Sequence, residues 1–320
     1  FSVSSLFEAA LARTVTGGER TVHLTTPGLR SNEIDRLAQL CDYISFNSIS
    51  QWQRHINELE GRVYCGLRVN PQRSFVSDPR YDPCRQHSKL GVPVREMIGG
   101  TTRIPLDADG LSGIHIHANC DSPDLGELLT MVRELVGQIG NLLPSLQWVN
   151  LGGGYLFEEE DGGSQQFIEA VQILRSQYGL KVFVEPGSAI VRESGYLVST
   201  VLDVFCSDGR SVAILDTSIN HMPEVFEYQY LPYVLGASET GDFSYLLAGS
   251  TCLAGDIFGE YSFEEPLEVG SRVIFGDFGA YTLVKAHTFN GLNFPSIYAL
   301  TANGDLVLKK RFTFEDYARR

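Results

Sequence analysis

The chain has 320 residues, 43% of them hydrophobic, and a formal net charge of −14. That length and composition bury a full core and accommodate two domains, or one large barrel with an appendage. The acidic balance excludes the basic footprint of a nucleic-acid binder, and no apolar run is long enough to span a bilayer.

Short β-rich runs alternate with amphipathic helical patterns from the first residue onward, which predicts a parallel sheet or barrel. The strands fall at Phe1 to Ser4, Thr21 to Thr25, Tyr43 to Asn47, Val63 to Val69, Gly113 to His117, Gln147 to Leu151 and Val182 to Val184. Between them, Ser50 with Gln53 spells a capping box, Ser122-Pro123 places proline in a first helical turn, and Gly179 closes a helix that starts near Ser164. Seven alternating strands are one short of a (β/α)8 barrel, and the chain opens at Phe1 inside a strand-like run. The expected first domain, residues 1–190, is therefore a barrel lacking its N-terminal strand. An open doubly wound sheet is the alternative, disfavoured because polar residues stand at nearly every strand's C-terminal end. The run Glu158-Glu159-Glu160-Asp161 before Gly162 reads as a solvated loop.

From about Val191 the texture changes to strands without long helices, at Tyr196 to Phe205, Ser211 to Leu215, Tyr245 to Ala248, Arg272 to Phe275, Tyr281 to Lys285 and Ser296 to Leu300. Asn303-Gly304 before Leu306-Val307-Leu308 signals a hairpin. Residues 191–320 are expected to form an all-β domain. Six cysteines, Cys41, Cys65, Cys84, Cys120, Cys206 and Cys252, include no C-x-x-C pair and read as reduced thiols of a cytoplasmic protein.

Several stretches carry chemistry. Trp148-Val149-Asn150-Leu151 runs into Gly152-Gly153-Gly154, either a tight strand-to-helix turn or a cradle of bare backbone N–H groups for a phosphate. The G-x-G-x-x-G spacing of a dinucleotide site fails at Phe157. His115 and His117 point to the same side of one strand, but zinc needs a third and fourth ligand, so no metal is expected and one ring is read as packed or stacking. Glu185, at an apolar strand's end before Pro186-Gly187, is placed to face a ligand nitrogen or solvent, and Arg68 to grip an anionic oxygen or a structural partner. Cys252, in Gly249-Ser250-Thr251-Cys252-Leu253-Ala254-Gly255-Asp256, is a small hydrophobe or a reactive thiol, and Tyr281 in Gly279-Ala280-Tyr281-Thr282 offers a phenol to a phosphate.

The order of these pieces resembles the fold-type III pyridoxal-phosphate decarboxylases, the alanine racemase-like group acting on ornithine, diaminopimelate and carboxynorspermidine. Further stretches that carry it are Ser4-Ser5-Leu6-Phe7-Glu8-Ala9, Phe46-Asn47-Ser48-Ile49-Ser50-Gln51-Trp52, Ser88-Lys89-Leu90-Gly91, Gly195-Tyr196-Leu197-Val198, His221-Met222-Pro223 and Thr288-Phe289-Asn290-Gly291, so the likeness spans the chain. The resemblance implies that Gly152, Gly153, Gly154 and Gly187 hold the phosphate of pyridoxal 5′-phosphate, with Tyr281 a further contact. It implies that His117 stacks on the pyridine, that Arg68 sits near its phenolic oxygen, and that Glu185 keeps the ring nitrogen protonated. Cys252 would return a proton after CO2 leaves, and Asp256 would meet the substrate or the partner's Lys89 across a homodimer interface that holds the active sites. His221 and Glu224 are implied contacts for amino groups, and Leu253, where ornithine-type enzymes are acidic, suits a longer polyamine precursor such as carboxynorspermidine or carboxyspermidine, which would yield norspermidine or spermidine. The family's imine-forming lysine belongs on the first barrel strand, and Lys89, Lys181, Lys285, Lys309 and Lys310 stand elsewhere. A decarboxylase-like binding protein without that lysine, and a metal-dependent barrel hydrolase using His115 and His117, are the competing functions.

Overall fold

The computed structural model describes residues 1–99, 110–157 and 163–319, and the chain divides into two compact units, Phe1–Ala189 and Ile190–Arg320. The acidic run Glu158 to Asp161 with Gly162 lies outside the described residues.

In the first unit, strands β1 (Ser2–Val3), β2 (His23–Thr26), β3 (Tyr43–Phe46), β4 (Tyr64–Asn70), β5 (Val92–Pro93), β6 (Leu111–His115), β7 (Trp148–Asn150) and β8 (Lys181–Phe183) occur in chain order. Between them run helices α1 (Leu6–Thr16), α2 (Ile34–Leu40), α3 (Ile49–Leu59), α4 (Val94–Gly99), α5 (Leu125–Ile139) and α6 (Gly163–Gln172), with α7 (Gly187–Val191) following β8. Every pairing is parallel, in the order β1-β2-β3-β4-β6-β7-β8, and β5 pairs with β4 off that path. All seven expected strands are present, and β5 is a two-residue addition. The sheet curls far enough that the Ser2 hydroxyl of β1 donates to Glu185, two residues beyond β8, at 2.8 Å. Curvature of that degree is a barrel wall, and the open doubly wound alternative is set aside.

The interior explains the curl. Gly66, Gly113 and Trp148 lie side by side in register on β4, β6 and β7. A Cβ on Gly66 would stand 2.4 Å from the Trp148 ring and one on Gly113 2.1 Å from it, so the indole covers both glycines. Its N–H donates to Ser112 Oγ at 3.0 Å, which leaves the buried ring satisfied. His23 stacks on Tyr43 with ring centroids 4.2 Å apart and meets Phe183 edge-on at 4.3 Å, filling the next space across the barrel.

Two caps sit two residues away from their expected places. Helix α3 is capped by Ser48, whose hydroxyl accepts the Gln51 N–H, while Gln51 Oε1 accepts from Asn47 N at 2.7 Å. Helix α5 is capped by Asp124, which accepts from Gly126 N, and Ser122 instead donates to Glu127. The α6 segment continues through one wide turn, Ile173–Gln177, before Gly179 at φ +68° ends it as expected.

In the second unit, β9 (Leu197–Ser207), β10 (Arg210–Leu215), α8 (Pro223–Tyr228), β11 (Phe243–Ala248), β12 (Ile257–Phe263), β13 (Arg272–Phe275), α9 (Thr282–Lys285), β14 (Ile297–Leu300), β15 (Leu306–Lys310) and α10 (Phe314–Ala318) follow in order. A five-stranded sheet runs β12-β11-β10-β9-β13, parallel only between β10 and β11, and β14 pairs with β15 as the expected hairpin. Leu197, Val201, Leu215, Leu247, Phe258 and Phe275 are buried at its core. The unit is not purely strands. Tyr281 to Lys285, expected as a strand from its aromatic and β-branched residues, is helix α9: Tyr281 takes φ +59° and ψ −43°, and Thr282 N donates to Ala280 O at 2.6 Å. That tight three-residue turn redirects the chain before any strand register is set.

Candidate functional site

The C-terminal ends of β4, β6, β7 and β8 converge on one cluster. Register places Arg68, His115, Asn150 and Phe183 in a single row across the sheet. Two residues further along, the positions that follow on the same face are His117, Gly152 and Glu185. The backbone carries the pairing past the strands: Ile116 N donates to Asn150 O at 2.7 Å, Leu151 N to Phe183 O at 2.9 Å, and Glu185 N to Gly152 O at 2.7 Å.

Glu185 is the centre of this cluster. Its Oε1 accepts from Ser2 Oγ and from Asn150 Nδ2, both at 2.8 Å. Its Oε2 faces His115 Nε2 at 3.5 Å and His117 Nδ1 at 4.0 Å. Burial opposes the charged carboxylate, but the His115 and His117 rings and the Ser2 hydroxyl outweigh it and hold Glu185 well below the usual carboxylate range. Burial pushes the His115 pKa down while the Glu185 carboxylate opposes that shift, and Glu185 Oε2, at 3.5 Å, is the charged group its Nε2 faces. The Gly153 N–H donates to His117 Nδ1 at 3.2 Å, which fixes the ring of this half-exposed histidine. Arg68, buried at 8% exposure, lines the same cavity.

The glycine run answers to packing. A Cβ on Gly152 would stand 2.4 Å from Ile116 O, on Gly153 2.2 Å from Glu185 O, and on Gly154 2.1 Å from Asn119 O. Gly152 and Gly154 also take φ of +69° and +87°, which side-chain-bearing residues rarely adopt. The run threads between the segments that follow β6 and β8, so it binds His117 and Glu185 into one body. Gly187 N closes the same turn by donating to Glu185 O at 2.8 Å.

A cavity of about 360 Å³ opens on this cluster, lined by Arg68, His115, His117 and Glu185 and, from the segment between β4 and β5, by Arg80 and Tyr81. Larger hollows of about 510 and 630 Å³ border the N-terminal ends of the strands, at Tyr64, Leu111 and Lys181, and gather no comparable set of groups. Barrel chemistry sits at the C-terminal ends, and here the titratable groups do too. His115, His117 and Glu185 also bring three ligand atoms within 4.8 Å of one another, a spacing a cation could use. However, the Gly153 N–H already occupies His117 Nδ1.

The donor set fits pyridoxal phosphate. An ionised, immobilised carboxylate suits a protonated ring nitrogen, a fixed imidazole suits the ring face, Arg68 suits a phenolic oxygen, and the glycine run leaves backbone where side chains are excluded. No lysine is among the described residues that line this cavity. Cys84, against the His117 carbonyl at 3.7 Å, is pushed up to about 12 by burial and stays a thiol. Sequence reading missed Asn150 and Ser2 as parts of the cluster. The two-residue period linking Asn150 to Gly152 was the available signal.

The second unit sorts its expected residues differently. Asp256, expected to face a substrate or a partner's lysine, is 2% exposed and turned inward. Its Oδ1 accepts from Ser218 Oγ and Ile219 N, both at 2.9 Å, and its Oδ2 from Thr251 N at 3.1 Å and Thr251 Oγ at 2.5 Å. It anchors the loop that carries the exposed Cys252. His221, expected to meet an amine, is likewise spent: Nε2 donates to Asn293 O at 3.0 Å, Nδ1 accepts from Thr217 Oγ at 2.8 Å, and burial keeps it neutral. Glu224 holds Lys285 Nζ at 2.8 Å, and that ammonium also donates to the Tyr228 hydroxyl at 2.8 Å. Burial works against the Lys285 charge, and the bond to Glu224 outweighs it, raising the pKa. Tyr281 is 56% exposed in its positive-φ turn.

A profile described as pyridoxal-dependent decarboxylase, C-terminal sheet domain, matches residues 18–279. A carboxyaminopropylagmatine decarboxylase of Synechocystis sp. is 39% identical, covering 100% of this chain and 81% of that protein. A carboxynorspermidine/carboxyspermidine decarboxylase of Campylobacter jejuni is 30% identical, covering 99% and 84%. The crystal structure of carboxynorspermidine decarboxylase from Campylobacter jejuni, complexed with norspermidine, superposes with a TM-score of 0.88 at 29% identity, covering 99% of this chain and 85% of that one.

Proposed function

The chain belongs to the pyridoxal-dependent decarboxylase family, and from that premise we propose that it decarboxylates a carboxylated polyamine, carboxynorspermidine or carboxyspermidine, releasing norspermidine or spermidine. The observation that carries the reading is Glu185, ionised and pinned at the mouth of a cavity beside His117 and Arg68. When bound, pyridoxal phosphate supplies an electron sink for the charge released as a carboxylate departs as CO2.

The chain's own groups act around that sink. Glu185 would accept from the ring N–H and so keep a proton on the ring nitrogen. His117, its ring oriented by the Gly153 N–H, would pack against the ring. Arg68 would neutralise the phenolic oxygen, while Gly152, Gly153, Gly154 and Gly187, with the Tyr281 phenol, would hold the phosphate. The exposed Cys252 thiol would be the proton donor to the carbon that loses CO2. Glu224, now held by the Lys285 ammonium, would meet an amine of the substrate by exchanging that ammonium for it, and Leu253, 38% exposed, would meet its methylenes.

We assign the protein to the cytoplasm as a homodimer. Support comes from the hairpin, where Leu300, Leu306 and Leu308 stand 68%, 70% and 43% exposed. No helix among the described residues is long and apolar enough to cross a membrane. The Synechocystis relative favours a second substrate, carboxyaminopropylagmatine, whose guanidinium end would take the same acidic contacts.

CO2 release from all three substrates, measured with added pyridoxal phosphate, tests the reading. Release from carboxynorspermidine or carboxyspermidine above that from carboxyaminopropylagmatine supports it, and release from none of them overturns it. Cys252→Ala is expected to bind the cofactor normally and to lose on the order of a hundredfold in rate.

A further inference from the structure

The sequence reading left Asn150 without a role, yet it joins the two halves of the cofactor cluster. It is 1% exposed at the end of β7. Its Oδ1 accepts the Gly152 N–H at 2.9 Å, and its Nδ2 donates to Glu185 Oε1 at 2.8 Å and lies 3.5 Å from His23 Nδ1. Ser2 Oγ takes the same Glu185 oxygen. With Oε1 held from two sides, Oε2 is the oxygen left facing the His115 and His117 rings and the cavity.

We infer that Asn150 is the positioning residue that turns Glu185, so that one carboxylate oxygen is locked to the barrel wall and the other is presented to the pyridine nitrogen of the cofactor. This rests on the pyridoxal phosphate reading above. The amide is required chemically. A buried asparagine accepts from Gly152 and donates to Glu185 at once, whereas an aspartate would set two carboxylates 2.8 Å apart. One proton then has to be shared, either between those carboxylates or with His23, and the charges facing the pair are Arg68 of β4, His115 of β6, His117 beyond it and His23 of β2. Above the pH at which that proton leaves, the clamp opens. An amide has no such titration.

The probe is pyridoxine 5′-phosphate, which carries the ring nitrogen and the phosphate but no aldehyde, so its binding needs no imine. Its ultraviolet absorption distinguishes the protonated from the unprotonated ring. In the wild-type protein the bound ring should stay protonated to higher pH than in free solution, and Glu185→Gln should abolish that protection. Asn150→Ala should bind the probe about tenfold more weakly, the worth of one charge-assisted hydrogen bond, and lose most of the protection. Without ligand, Asn150→Asp should melt close to wild type at about pH 4.5 and fall progressively below it as pH rises towards about 7, because the unfolded aspartate ionises near about 3.9 while the coupled folded pair keeps its proton to higher pH. Ser2→Ala, at the exposed edge strand and removing the other donor to the same oxygen, should give a smaller loss of protection in the same direction if Asn150→Ala fails to fold.

Normal ring protonation in Asn150→Ala, or in Ser2→Ala where the former does not fold, together with a pH-independent melting difference in Asn150→Asp, overturns the assignment while leaving the cofactor reading intact. Failure of the wild-type protein to bind the probe overturns the cofactor reading itself.

Discussion

The Asp256 anchor allows the sharpest test of how the second unit presents Cys252. The carboxylate accepts four hydrogen bonds, from Ser218, Ile219 and twice from Thr251, and is 2% exposed. In Asp256→Asn, one oxygen becomes an NH2 group aimed at donors, so two bonds to a charged acceptor are lost and two buried donors are left unpaired. At roughly 1.5–3 kcal/mol for each bond to a charged group, less what relaxation recovers, the loss is about 3 kcal/mol. For a protein of this size that lowers Tm by roughly 4–5 °C. The neighbouring loop should loosen as well, because Thr251 precedes Cys252 directly. In a Cys120→Ser, Cys206→Ser background, which leaves Cys252 as the exposed thiol, its rate with a disulfide reagent should change several-fold in Asp256→Asn. Urea denaturation reads the stability and stopped-flow absorbance reads the thiol. A stability within about 0.5 kcal/mol of the parent together with an unchanged thiol rate would refute the anchor.

Two further outcomes follow from the barrel. Burial lowers the His23 pKa from 6.5 to about 4, so the unfolded chain takes up a proton that the folded barrel refuses, and stability falls as pH drops through that window. Between pH 7.5 and 5 the share is about 2 kcal/mol; His23→Phe, which keeps an aromatic ring against Tyr43, should remove it, leaving the pH dependence due to His115 and His221. Equal pH slopes in wild type and variant, measured by urea denaturation, would count against this. Gly113→Ala sets a Cβ 2.1 Å from the Trp148 ring, an overpacking expected to cost about 3 kcal/mol, and Trp148→Leu in the same chain should recover part of it. Strict additivity in that double-mutant cycle would show that the two positions do not compete for one space.

Period and punctuation carried the sequence reading a long way. Alternation located the seven strands β1 to β4 and β6 to β8, because each is a short β-rich run closed by a turn or a capping residue, and those signals are local. The texture change near Val191 separated a strand-rich segment for the same reason. Arg68, His117, the three glycines and Glu185 could be singled out as candidates because they stand at strand ends, where a parallel barrel gathers its polar side chains. Local signals failed where a distant partner decides. Tyr281 to Lys285 has strand composition but is turned into a helix by a positive φ. Asp256 and His221 are the residue types that bind substrates, yet Ser218, Thr251, Thr217 and Asn293 consume their hydrogen bonds.

The triglycine run shows the division most plainly. Its composition already announced that the chain needed backbone without side chains there. Tertiary structure decided why: the carbonyls of Ile116, Asn119 and Glu185, brought from two other strand ends, stand within 2.1–2.4 Å of where each Cβ would be. Asn150 was invisible for the complementary reason. Its role exists only because curling of the sheet brings Glu185 and Ser2, remote in sequence, to the two sides of one oxygen.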